Sequence, residues 1–242
     1  MASPVPLLND KHANLKLVES GDYTRYKDQH LIPIVFQDFF TLSAEFPLVF
    51  VTNKSGDFIP VALMGLREKQ NLYCQTDQWK ARVVPLSFGT APFAIAPADK
   101  EGDQFAVLID EESPQLSDSE GEALFNENGD RSEYLEQRIE SIVNVAQQST
   151  QTAAICKMLA EKNLLATQQL QLRHREDGTI YNIDGIYTVS EEALNESSDE
   201  EFLDLRAKRM LPLIYCHLAS LQQLRRISEM QYEADKASGT SS

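Results

Sequence analysis

The sequence predicts an α+β protein, with antiparallel strands in the first half and mostly helices in the second. In the first half, short apolar runs rich in β-branched residues alternate with turn-forming clusters, a pattern typical of strands. In the second half, apolar residues recur at the three- and four-residue spacing of amphipathic helices. A chain of 242 residues with 42% hydrophobic residues is long enough to bury a sizeable core without disulfides or metals.

The first-half strands begin with two apolar runs, Phe46–Thr52 and Phe58–Met64. The cluster Asn53–Asp57 between them contains a glycine, so the three segments together predict a β-hairpin. Pro60 has no backbone N–H, which predicts that the second strand lies at a sheet edge or carries a bulge. Four further runs complete a predicted antiparallel sheet or partial barrel of about six strands: Asn71–Gln75, Lys80–Pro85, Pro92–Ala96 and Gln104–Ile109.

Helical patterns occur on both sides of these strands. Phe36–Ala44 has its aromatic residues at helical spacing, which predicts a short helix packed on the sheet. An acidic stretch punctuated by Gly and Pro, residues 110–136, predicts a surface connector. Ser132–Gln148 follows as a helix with Ser132 as its N-cap, and Thr152–Lys162 is a second predicted helix.

The last third of the chain predicts one late β-hairpin followed by helices that pack on the sheet. Asp177-Gly178 is a strong two-residue turn signal. Ser198–Glu201 forms a capping box that opens a helical stretch, and Pro212 predicts a kink or an interruption in it. The two predicted hairpin strands are Gln168–His174 and Thr179–Tyr187.

The predicted domain organisation is one α+β domain with short additions at both ends. Because the C-terminal helices are too apolar to stand alone, we expect this domain to be one cooperative unit. The predicted boundaries are an N-terminal extension over 1–30, a domain over 31–234 that is β-rich over 46–110 and mostly helical over 132–234, and a flexible tail over 235–242.

Charge and composition exclude several classes of partner. The chain has 22 basic and 37 acidic residues, a formal net charge of −15. Binding to nucleic acid or to an anionic membrane surface depends on Lys and Arg, so neither is expected. No apolar run is long enough to span a bilayer, and no secretory signal pattern is present, so we expect a cytoplasmic protein without membrane insertion. The sequence does not indicate an oligomeric state.

The residue types that commonly carry catalysis form no recognisable motif. Cys74, Cys156 and Cys216 are far apart and occur in apolar or amphipathic runs, where free cysteine usually packs as a small hydrophobe. His217 lies on an apolar helix face, which favours a core histidine over a catalytic one. Asn126–Asp130 only partly resembles a calcium loop, and a turn explains it more simply. We therefore predict no catalytic residue, no metal site and no cofactor.

Four aromatic residues are the candidate binding residues. They are Trp79, Tyr73, Phe88 and Phe93, and they could line a groove. Aromatic side chains are enriched both at the centres of binding interfaces and in the cores of sheets, so both alternatives stay open. Trp79 is the strongest single candidate because Asp77, Gln78 and Lys80 surround it in a predicted turn.

Five segments taken together resemble the SapC family of bacterial proteins, over about residues 31–224. Each segment alone is a weak signal, and their order and spacing carry the resemblance. They are Glu45–Phe50, then Ala62–Leu66 with Asn71–Tyr73 and Trp79, then Pro92–Ala96, then Leu124-Phe125 with Asn128-Gly129, and last His217–Leu221.

The resemblance implies an association with bacterial surface layers, from which the family takes its name, or with outer-membrane systems. It carries no catalytic residues. Two functions therefore stay open. The first is a non-enzymatic accessory or binding protein that recognises a protein or peptide partner through the aromatic region near Trp79. The alternative is an enzyme, or a component of a modifying complex that works with a flavin-dependent halogenase or a cupin-type protein.

Overall fold

The computed structural model describes residues 4–97, 105–174 and 178–239. Over these residues the chain is α+β, as predicted, with antiparallel sheets that do not close into a barrel. The strands are β1 (Val5–Pro6), β2 (Lys16–Leu17), β3 (Leu31–Pro33), β4 (Leu48–Thr52), β5 (Phe58–Leu63), β6 (Phe93–Pro97), β7 (Phe105–Ile109), β8 (Leu116–Ser117), β9 (Glu122–Ala123), β10 (Leu165–Arg173) and β11 (Ile180–Val189). The helices are α1 (Asn9–His12), α2 (Phe39–Leu42), α3 (Glu133–Glu161), α4 (Glu191–Glu196), α5 (Asp199–Ala207), α6 (Met210–Ser220) and α7 (Gln223–Ser238).

The chain divides into two compact units, and the first consists of Met1–Gly21 and Leu86–Gln147. In this unit β7 pairs with both β1 and β6, and β2 pairs with both β8 and β9. The strands β8 and β9 lie within the acidic stretch predicted as a connector. The core of the unit contains Leu17, Phe93, Val107, Ile109, Leu124, Phe125, Leu135 and Ile142.

The second unit, Asp22–Pro85 and Gln148–Ser242, contains a five-stranded antiparallel sheet in the order β10-β11-β4-β5-β3. Both predicted hairpins, β4–β5 and β10–β11, are confirmed. The first turn forms because the side-chain oxygen of Asn53 accepts the backbone N–H groups of Ser55 and Asp57, each at 2.9 Å. The second turn includes Asp177, which lies outside the described residues.

The prediction of one six-stranded sheet is wrong. The structure places β6 and β7 in a three-stranded sheet with β1, separate from the sheet of β4 and β5. The predicted strands Asn71–Gln75 and Lys80–Pro85 are turns and irregular chain. Asn71 explains the first error, because its side-chain oxygen accepts the N–H of Tyr73 at 3.0 Å and closes a local turn that competes with strand pairing.

The edge position predicted from Pro60 is wrong for the strand as a whole, since β5 lies between β4 and β3. The register pairs Pro60 with Phe50 and shows no shift, so the strand carries no bulge there. Pro60 is tolerated because β3 ends at Pro33, which pairs with Val61, the residue that follows Pro60 in β5. The missing N–H therefore faces a part of the sheet where β3 has already ended.

The two helices predicted over 132–148 and 152–162 are one continuous helix, α3. The residues between them contain no Gly or Pro, and their modest helix propensity does not interrupt the backbone hydrogen bonds. The predicted N-cap is confirmed, because the Ser132 hydroxyl oxygen accepts the N–H of Leu135 at 3.1 Å. The short helix predicted at Phe36–Ala44 is also confirmed, as a 3₁₀ turn over Phe36–Asp38 followed by α2.

The C-terminal helical stretch breaks at positions that the sequence did not predict. The Ser198–Glu201 capping box is confirmed at the start of α5. The first break comes at Arg209, whose φ is +59°, and not at Pro212. Pro212 lies in the first turn of α6, where a backbone N–H has no partner within the helix in any case. A second break, after Ser220, separates α6 from α7.

Candidate functional site

The four predicted aromatic residues fall in different units and differ in exposure. Tyr73 and Trp79 belong to the second unit, whereas Phe88 and Phe93 belong to the first. Tyr73, Phe88 and Phe93 are buried, and Trp79 is half-buried. Their role in binding stays a prediction, and Trp79 is the member of the set that a partner could reach.

Trp79 packs in an aromatic cluster at the surface of the second unit. Its ring centroid lies 5.9 Å from that of Tyr73 and 5.3 Å from that of Tyr23. Tyr73 in turn packs edge-on against Phe46 with centroids 4.7 Å apart. The indole Nε1 donates a hydrogen bond to the backbone oxygen of Val83 at 2.9 Å. These contacts fix the orientation of the indole and leave part of it accessible.

A buried carboxylate lies directly beside this cluster. Glu45 Oε1 accepts a hydrogen bond from Arg82 Nε at 2.6 Å, and Glu45 Oε2 accepts one from Arg226 Nη1. The Arg226 guanidinium also lies over the Tyr73 ring, 5.9 Å from its centroid. The Tyr73 hydroxyl donates to the backbone oxygen of Glu45 at 3.2 Å. Residues from three distant parts of the sequence therefore meet at one point.

The electrostatics of this group leave positive charge at the surface. Burial raises the pKa of Glu45, but hydrogen bonds from Arg226 and Arg82 outweigh it, and the net shift is downward. Glu45 is therefore ionised and neutralises only one of two guanidinium groups. The Arg82 side chain is 86% exposed and that of Arg226 is 38% exposed. Burial also raises the pKa of Tyr73 to about 12, so its hydroxyl stays a donor.

We call Tyr23, Trp79, Arg82 and Arg226 the Trp79 face. It combines an oriented indole with a guanidinium whose position a buried carboxylate fixes. Such a guanidinium binds carboxylates well, because its planar N–H groups match two carboxylate oxygens. Sequence reasoning proposed Trp79, whose role in binding stays a prediction, and did not connect Arg82 or Arg226 with it. The signal that could have indicated them is the Glu at the start of the apolar run Glu45–Phe50.

The histidine singled out in the sequence lies in the core, as predicted. His217 is 1% exposed, and its Nε2 accepts the backbone N–H of Val189 at 3.0 Å. Burial lowers its pKa to about 4, so the ring is neutral. Burial also raises the pKa values of Cys74 and Cys156 to about 12, which disfavours reactive thiolates. The prediction of burial is wrong for Cys216, which is half-buried and contacts the backbone oxygen of Phe39 at 3.2 Å.

A second polar cluster fixes α7 to the sheet. Asp235 accepts hydrogen bonds from Arg67 at 2.8 Å, from the Tyr181 hydroxyl at 3.0 Å and from Gln231 at 3.0 Å. The side-chain oxygen of Gln231 accepts the N–H of Leu66 at 3.0 Å. Burial raises the pKa of Asp235, but these hydrogen bonds lower it further than burial raises it. Since every oxygen is occupied, the cluster stabilises the fold.

The remaining sequence candidates have local structural explanations. The side-chain oxygen of Asn126 accepts the N–H groups of Asn128 and Asp130, each at 3.0 Å, so it closes a turn. Among the residues that the structure describes, no three His, Cys, Asp or Glu side chains cluster as metal ligands would. None of the helices in that part of the chain has both the length and the apolar run needed to cross a bilayer.

Comparison with known proteins gives a family assignment. The model of the SapC family matches residues 7–227 of the 242-residue chain. The chain belongs to the SapC family. No curated protein and no solved structure matches this SapC chain.

Three of the five SapC segments quoted from the sequence meet one another within the second unit, whereas the third and fourth segments belong to the first unit. The last of them, His217–Leu221, supplies Ser220, whose hydroxyl oxygen accepts the N–H of Leu48 in the first segment at 3.0 Å. The second segment contributes Asn71, which closes the turn before Tyr73. These three segments of the SapC chain therefore hold together the scaffold on which the Trp79 face lies.

Proposed function

We propose that this SapC chain is a non-enzymatic accessory or binding protein, linked to bacterial surface-layer or outer-membrane systems, that recognises a protein or peptide partner through the Trp79 face. One observation carries the proposal. The exposed guanidinium of Arg82 is hydrogen-bonded to the buried Glu45 directly beside the half-buried Trp79.

The chemistry of the Trp79 face favours a peptide carboxylate next to an apolar side chain. Arg82 uses Nε to bind Glu45, which orients the rest of its guanidinium before any partner arrives. An oriented donor loses less conformational entropy on binding than a mobile one. The exposed part of Trp79 offers apolar surface for the neighbouring side chain of the partner.

The net charge of the chain limits how acidic the partner segment can be. A charge of −15 repels a strongly acidic segment at long range. A single carboxylate is compatible with this charge, because its contact with Arg82 acts at short range. The carboxylate is therefore either a chain terminus or one acidic side chain, and peptides with a free or an amidated C-terminus distinguish these sources.

The first test is a tagged pull-down from the native host with quantitative mass spectrometry, comparing wild type with Trp79→Ala and Arg82→Ala. The matched control is Lys80→Ala, an exposed neighbour with the same charge. We expect a partner that both test variants lose and the control retains. Peptides from that partner, with a free or an amidated C-terminus, then show which carboxylate binds.

For such a peptide we expect Arg82→Ala to weaken binding about tenfold or more, as for the loss of a charge-assisted hydrogen bond. The same change removes one of two hydrogen bonds to the buried Glu45, so we expect it to lower the free energy of unfolding by about 1–3 kcal/mol, with the hydrogen bond from Arg226 retained. The proposal fails if Trp79→Ala and Arg82→Ala leave every interaction unchanged. If the purified protein also turns over a substrate, the alternative of an enzyme or modifying-complex component takes its place.

A further inference from the structure

The outer edge of the five-stranded sheet is formed by β10, which among the described strands pairs with β11 alone. The Leu164 carbonyl accepts the N–H of Ser190, and the His174 N–H donates to Thr179 on the same side. Because backbone direction alternates along a strand, the odd-numbered residues of β10 point their N–H and C=O groups outward. Among the described residues, no backbone hydrogen bond reaches β10 from that side.

Apart from a register shift in its pairing with β11 between Gln168 and Leu170, the β10 edge lacks the features by which proteins protect an exposed strand. Natural edge strands carry prolines or charges, or are very short. The opposite edge follows this rule, since β3 has three residues and ends at Pro33. By contrast, β10 has nine residues, Leu165–Arg173, and contains no proline. Its only charge is at its last residue, so the rest of the edge is uncharged.

A groove lies along the second half of β10, where α7 crosses the inner side of the sheet. It has a volume of about 490 Å³. Leu170 and Leu172 are only half-buried on this inner side, whereas Gln169 and Gln171 are exposed on the other. A strand added next to β10 would place alternate side chains into this groove. The groove is lined by Gln171–His174 from the strand and by Arg225, Ser228, Glu229 and Glu233 from α7.

We propose that a second copy of this chain covers the edge, with the two β10 strands pairing antiparallel about a two-fold axis at Gln169. Gln169 then lies opposite its own copy, Thr167 opposite Gln171, and Leu165 opposite Arg173. All these residues point their backbone groups outward, so each pair completes ladder hydrogen bonds. The two five-stranded sheets join into one continuous sheet.

The side-chain pattern favours a second copy over a foreign strand. About Gln169, Ala166 of one copy opposes Leu172 of the other, and Gln168 opposes Leu170. The half-buried leucines of each copy are thereby covered, Leu172 by the methyl group of Ala166 and Leu170 by the Gln168 side chain. Because Arg173 is the only charged residue of β10 and lies opposite Leu165, no charged residue faces a like charge across the interface. The interface is therefore self-complementary, as a two-fold contact requires.

The strength of this pairing depends on salt in a defined direction. Each chain carries a net charge of −15, so two copies repel one another at long range. Added salt screens this repulsion, whereas the backbone hydrogen bonds and apolar contacts persist. Dimerisation therefore strengthens as the salt concentration rises.

The test measures the molar mass of the full chain by sedimentation equilibrium over a range of protein and salt concentrations. Two variants, Gln169→Lys and Gln169→Glu, each place like charges opposite one another at the two-fold axis. The control is Asn182→Lys, which adds the same charge to an exposed site on β11, away from the edge. Circular dichroism spectra check that every variant is folded.

We expect the wild type and Asn182→Lys to be dimers. Each Gln169 variant alone should have a dimer dissociation constant at least tenfold higher than that of the wild type. Mixing Gln169→Lys with Gln169→Glu should restore the dimer, because opposite charges then meet. A wild type that stays monomeric at high protein and salt concentrations overturns the proposal, and leaves the edge to a strand from another protein. The proposal is also overturned if the Gln169 variants dimerise as strongly as the wild type, or if mixing the two variants does not restore dimerisation.

Discussion

At the scale of single residues, buried polar side chains act as fixed connections between distant segments. Glu45 binds arginines that are 37 and 181 positions away in sequence, and His217 joins α6 to β11. The sequence predicted His217 as a core residue because its neighbours on the helix are apolar. It could not predict the partners of Glu45, since only the tertiary fold brings these charges together. The partial exposure of Trp79 was predictable because its polar neighbours indicate an exposed turn.

His217 should make the stability of the protein depend on pH. Burial lowers its pKa from 6.5 to about 4, so between these values the unfolded chain binds a proton that the folded chain excludes. The free energy of unfolding therefore rises with pH from about 4 to 6.5, by roughly 3 kcal/mol for this group. Urea titrations over this range should show a smaller rise for His217→Gln, which retains a side-chain acceptor for Val189. Equal slopes in the two proteins would contradict this assignment.

At the scale of elements, local signals were predictable and long-range pairing was not. The β4–β5 hairpin and the α5 capping box form within a few residues, so the sequence contained all the information that they need. The three-stranded sheet of the first unit depends on pairing between Val5 and Ile109, which no local pattern reveals. The break between α5 and α6 is also hidden, because Arg209 adopts a left-handed backbone conformation that is uncommon outside glycine.

Replacing Arg209 should show how much this conformation costs. A left-handed residue directly after a helix is usually glycine, because a side chain adds steric strain there. We expect Arg209→Gly to raise the free energy of unfolding by up to about 1 kcal/mol, with the added freedom of the unfolded chain offsetting part of the gain. Arg209→Ala is the control, since it removes the same side chain but keeps the strain. Denaturant titrations in which Arg209→Ala has a free energy of unfolding equal to or larger than that of Arg209→Gly would contradict this explanation.

At the scale of the whole molecule, the chain crosses between its two units three times, and one crossing lies inside a helix. The first unit ends at Gln147 and the second resumes at Gln148, both within α3. A helix with unbroken hydrogen bonds across this point resists melting of one half alone. The sequence suggested one cooperative domain from the apolar C-terminal helices, and α3 supplies a physical reason for the same expectation.

Cooperative unfolding can be tested because each unit offers its own probe. Trp79 is the single tryptophan of the chain and reports on the second unit, while hydrogen exchange of β6 and β7 amides reports on the first. We expect the two probes to give the same urea midpoint in the wild type. Gln147→Pro interrupts α3 at the crossing and should separate the midpoints, whereas Gln147→Ala, which preserves the helix, should keep them together. Two separate midpoints in the wild type would mean that the units unfold independently and that α3 does not couple them.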